Sequence, residues 1–61
     1  MKLLSDFISA VEARQAEIAK GLAHGNASDY YAYQRLVGEN LGLEASLEIL
    51  NHLLKEDEDD R

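Results

Sequence analysis

The side chains best suited to bind a metal or move a proton near neutral pH are His24 and His52, and their neighbours decide what chemistry they can do. Glu48 and His52 lie one helical turn apart, a spacing that can hold a metal, but no Glu-x-x-His pair or second histidine completes a ligand set. If the chain doubles back between them, the two histidines stand about 30 to 40 Å apart at the helical rise and cannot share a site. No serine, threonine or tyrosine lies within a turn of either histidine except Ser28, which is better spent capping a helix, so no aligned nucleophile and base are expected. There is no glycine loop to cradle a phosphate. Glu12 and Glu44 fall near each other in the register derived below, where like carboxylates at an exposed edge repel mildly. These patterns predict no catalytic residue, no metal site, no cofactor and no enzymatic activity.

The residues that remain are suited to contact. Tyr30, Tyr31 and Tyr33 form the aromatic cluster, and tyrosine is overrepresented at the energetic centres of interfaces. Gly38 and Gly42, one turn apart, continue through Ala45 to Ile49 as a ridge of small residues. Two glycines inside a helix cost about 2 kcal/mol relative to alanine, which calls for a reason. One reading is that a helix from a second subunit or a partner presses close to the ridge. Others are a bend or break that turns the chain into three shorter helices, or a cost tolerated on a solvent face. The expected interface is Tyr30, Tyr31, Arg35, Val37, Gly38, Leu41, Gly42 and Ile49.

The elements that must hold these residues follow from periodicity. Tyr33, Leu36, Leu43, Leu47, Leu50 and Leu54 recur at the alternating three-and-four spacing of a coiled-coil seam, with Asn40 at its polar position. Leu4, Ile8, Val11, Ile18 and Leu22 repeat the spacing, with Gln15 as their polar member. Set antiparallel, Leu22 faces Tyr33, Ile18 faces Leu36, Gln15 faces Asn40, Val11 faces Leu43, Ile8 faces Leu47 and Leu4 faces Leu50. The midpoint falls near Ala27, inside the turn residues Gly25, Asn26, Ala27 and Ser28, so periodicity and turn chemistry predict the same hairpin. Gln15 and Asn40 are read as a register device, two amides that satisfy each other and penalise a slipped alignment. On the flank of this register Arg14 faces Glu39, an expected ion pair.

The predicted fold is all-α: helices over about 3–24 and 29–55, a turn over 25–28 and an acidic tail over 56–61. Gly25 should take the left-handed conformation that closes the first helix, and Ser28 should cap the second, with Asp29 complementing its dipole. Glu56, Asp57, Glu58, Asp59 and Asp60 sit where the dipole opposes carboxylates, and the tail is expected to fray. Asn26, Ala27 and Ser28 also spell a glycosylation acceptor, which without a secretory signal is not expected to be used.

Composition narrows the class of partner. A lone hairpin of 61 residues buries too small a fraction of its surface to be comfortably stable, and no cysteine is present to staple it. Leu3 and Phe7, together with Tyr30, Val37, Leu41, Ile49 and Leu53, widen the apolar face beyond one seam. Self-association is therefore expected, most simply a homodimeric four-helix bundle. Twelve acidic residues against six basic ones leave a charge of −6, which disfavours nucleic acid and anionic lipid as direct ligands. The N-terminal MKLL is followed at once by Ser5 and Asp6, and no apolar run approaches the length of a membrane span, so neither a signal peptide nor a membrane location is expected.

Over Ala27, Ser28, Asp29 and Tyr30, then Tyr33, Gln34, Arg35, Leu36, Val37, Gly38 and Glu39, then Gly42, Leu43 and Glu44, the chain resembles short helical proteins encoded among the head and packaging genes of tailed bacteriophages. The resemblance covers about a third of the chain. It implies a viral setting, a role in virion assembly and no catalytic residues, with the host cytoplasm or the virion as location. The expected function is a structural, assembly or adaptor protein acting through helix-helix contacts with its own copies and with another phage or host protein. The alternative is an acidic inhibitor whose carboxylates occupy the nucleic-acid-binding groove of a host nucleic-acid-binding or defence protein.

Overall fold

Two helices, α1 over Lys2–Ala23 and α2 over Tyr30–Asp59, fold back on each other in the computed structural model, which describes residues 2–25 and 27–59. No strand occurs among the described residues. The turn's Asn26 and the tail's Asp60 and Arg61 lie outside them.

The corner is built from local hydrogen bonds. Gly25 has φ +72°, the left-handed region that a side chain disfavours, and its N–H donates to the Leu22 carbonyl at 3.2 Å. His24 N–H still reaches Lys20, so α1 closes its last turn before the glycine reverses the chain. At the other side of the corner the cap is Asp29, whose Oδ1 accepts from Ala32 N–H at 2.8 Å, and not the expected Ser28. The reason is position. The Asp29 carbonyl accepts the first bond of α2, from Tyr33 N–H, which makes Asp29 the flanking residue and puts Ser28 one residue too early.

Burial follows the expected seam. Val11 and Ile18 are buried, and Leu4, Ile8, Leu22, Leu36, Leu43, Leu47 and Leu50 are half-buried. The seam is open at both ends, however. Tyr33, expected to face Leu22 inside it, is 49% exposed, and Leu54 is exposed as well. At Tyr33 the aromatic ring lies 6.5 Å from that of Tyr30, stacked along α2 instead of across to α1. At Leu54 there is no α1 to meet. α2 has 30 residues against 22 and so outruns its partner by about 12 Å.

One further expectation changes. α2 does not stop near Lys55 but continues through the acidic stretch to Asp59. Nothing in that stretch breaks a helix: glutamate is a good helix former, no glycine or proline intervenes, and His52 Nε2 meets Glu56 Oε1 at 3.2 Å one turn on. α2 runs unbroken through Gly38 and Gly42, which gives the two helices of the predicted hairpin and removes the three-helix alternative. Ser46, in mid-helix, donates its hydroxyl to the Leu43 carbonyl and leaves the ladder uninterrupted.

Candidate functional site

Among the described residues, the side-chain hydrogen bonds that join the two helices run from Arg14 to Glu39. Arg14 Nε and Nη2 donate to the two carboxylate oxygens of Glu39 at 2.6 and 2.9 Å, the two-pronged geometry that a guanidinium and a carboxylate favour. This is the pair expected from the register. Its hydrogen bonds hold the Glu39 carboxyl below the usual carboxylate range, and the Arg35 charge one turn earlier acts in the same direction. The Arg14 guanidinium is correspondingly pushed up.

Because side chains three and four apart form rows along a helix, this one contact assigns whole rows to a common side. On α1 the Arg14 row runs back through Ala10 and Phe7 to Leu3. On α2 the Glu39 row runs forward through Gly42, Ser46 and Ile49 to Leu53, and back through Arg35 and Ala32 to Ser28. Tyr31 and Gly38 lie beside that row, on the same flank of α2.

The eight residues expected at the interface therefore do not make one surface. Tyr31, Arg35, Gly38, Gly42 and Ile49 lie on the Arg14 side. Tyr30, Val37 and Leu41 lie on the other flank of α2, where Tyr30 also accepts a hydrogen bond from Gln34 Nε2 at 2.6 Å. One flat partner cannot cover both sets. A Cβ added at Gly38 or Gly42 would meet nothing within 4 Å, so neither glycine is needed for α1 to approach.

Leu3, Phe7 and Leu53 belong to the Arg14 side and were outside the expected interface. Their signal was in the sequence, as apolar residues flanking the seam, but placing them together required knowing which flank of α1 shares a side with which flank of α2. At the turn end of that side is an open notch of about 330 Å³ lined by Ser28, Asp29, Tyr31, Ala32 and Arg35. Its Asp29 carboxylate is committed to the helix cap.

Gln15 and Asn40 are both half-buried in the seam. The expected amide-to-amide bond is not among the side-chain hydrogen bonds of the described residues. Partial exposure explains this, since water can reach each amide and removes the pressure for them to pair.

No family model, curated protein or solved structure matches this chain. His24 and His52 stand at opposite ends of the hairpin, and no cluster of three His, Cys, Asp or Glu side chains that could hold a metal occurs among the described residues. No helix there is long and apolar enough to cross a membrane. What the arrangement offers chemically is apolar area flanked by an exposed two-pronged ion pair.

Proposed function

We propose that the protein is a non-enzymatic helical adaptor or assembly protein of the tailed-phage type, working by helix-helix contact with a second copy of itself and with another protein. The observation that carries this reading is its excess of surface. A compact monomer of 6.8 kDa exposes about 4,000 Å², whereas this hairpin exposes 5011 Å². Its radius of gyration of 14.7 Å likewise exceeds the roughly 10.5 Å of a compact domain of this length. The difference of about 1,000 Å² is close to what one partner contributes to an interface of standard size, about 800 Å².

Light scattering over a range of chain concentrations and salt tests the self-association. The expected result is a dimer that persists at high ionic strength, because apolar contacts are not screened. A concentration-independent monomer of high thermal stability overturns it. The assembly role is tested by affinity purification of the tagged chain from phage-infected cells, with head or packaging proteins expected alongside it. Recovery of only a nucleic-acid-binding host protein, released by salt, replaces that role with carboxylate inhibition.

A further inference from the structure

We infer that the second copy covers the Arg14 side of the hairpin between the Arg14–Glu39 pair and the open end, through Leu3, Phe7, Ile49 and Leu53, and leaves the opposite flank, with Tyr30, Val37 and Leu41, free. The inference rests on the self-association proposed above and adds which face is used.

Two observations select this face. The first is apolar exposure: Leu3 is 76% exposed, Phe7 47%, Ile49 62% and Leu53 55%, and the rows fixed by the Arg14–Glu39 contact bring all four to one side. The second is charge. Each chain carries −6, so two copies can meet closely only where carboxylates are not forced together. From the ion pair to Leu53 the Arg14 side holds Leu3, Phe7 and Ala10 on α1 and Gly42, Ser46 and Ile49 on α2, with Asp6 at its outer edge as the one carboxylate. The opposite side holds Glu12, Glu44 and Glu48 in the same stretch, so a two-fold contact there would set carboxylates against carboxylates.

A two-fold axis near Ser46 makes the contact self-complementary, since the same patch then serves both copies. In that arrangement the large side chains toward the open end of one copy approach Gly42 of the other. The open space where a Gly42 side chain would be receives them. The single glycine row thus accommodates the neighbour's backbone, while Arg14 and Glu39 border the patch.

The test is sedimentation equilibrium of the full chain and three variants, with far-ultraviolet circular dichroism on each. Ile49→Asp and Leu53→Asp place a charge on the proposed face, and Leu41→Asp places one at a comparably exposed position on the other. The expected result is a dimer for the parent chain and for Leu41→Asp, and at least a ten-fold weaker dissociation constant for Ile49→Asp and Leu53→Asp with helicity retained. A parent dimer that survives both of those charges, or that is lost only with Leu41→Asp, overturns the face while leaving self-association intact. A parent chain that is monomeric throughout overturns both. If the substitutions reduce helicity, Ile49→Ser and Leu53→Ser, which remove the apolar area without adding charge, decide by the same criterion.

Discussion

Asp29 and Glu39 are two carboxylates that do different work. Asp29 caps α2, and replacing such a cap by alanine typically costs about 0.5–2 kcal/mol. Asp29→Ala should therefore lower the urea midpoint clearly, whereas Ser28→Ala should leave it nearly unchanged; equal effects would return the cap to Ser28. Glu39 acts through protonation. Its folded-state value is depressed by Arg14, so the stability it adds is fully present above the ordinary glutamate range, about 4.3, and is lost as pH falls through the depressed value. Comparing Glu39→Gln with the parent chain by urea titration should show a gap at neutral pH that closes in acid. A gap that widens in acid would show that the sign is wrong. The Arg14–Glu39 pairing was legible beforehand because heptad spacing alone sets the two side chains on facing flanks. The cap was not legible, since Ser28 and Asp29 are both good capping residues and only the backbone decides which is half in the helix.

Among the elements, α2 departs most from expectation. It continues past its expected end through the acidic stretch, and it crosses two glycines without a break as the predicted hairpin requires. An isolated helix carrying Gly38 and Gly42 would be weakened by about 1 kcal/mol at each, but packing of the seam along α1 holds the backbone on both sides of them. Both positions have room for a methyl group. Gly38→Ala with Gly42→Ala should accordingly raise the stability of the isolated hairpin by up to about 2 kcal/mol while weakening its association, read as a higher thermal midpoint in dilute solution and a larger dissociation constant. Unchanged association would remove Gly42 from the interface. The extent of α2 was hard to read because the dipole opposes exposed terminal carboxylates by only about 0.3–1 kcal/mol each and only within the last turn, while no glycine or proline marks a stop.

For the molecule as a whole, the balance between core and surface is the governing quantity. Among the described residues Val11 and Ile18 are the buried side chains, and fully burying a residue of this kind contributes about 1.5–3 kcal/mol. That is a small core for 61 residues. If a second copy supplies the rest, the thermal midpoint must rise with chain concentration, because folding and association are then one equilibrium. A midpoint constant over a hundred-fold range of concentration would mean that the hairpin stands alone.

The hairpin itself was determined by the chain's own pattern: two stripes of the same spacing, a glycine that tolerates positive φ and the ion pair on their common flank all follow from local geometry. Tertiary structure alone decided how far the seam stays closed, which residue caps α2, and which flank of α1 shares a side with which flank of α2. The physical reason is that periodicity places a side chain around its own helix axis, while the rotation and overlap of one helix against another are set by the contacts they share.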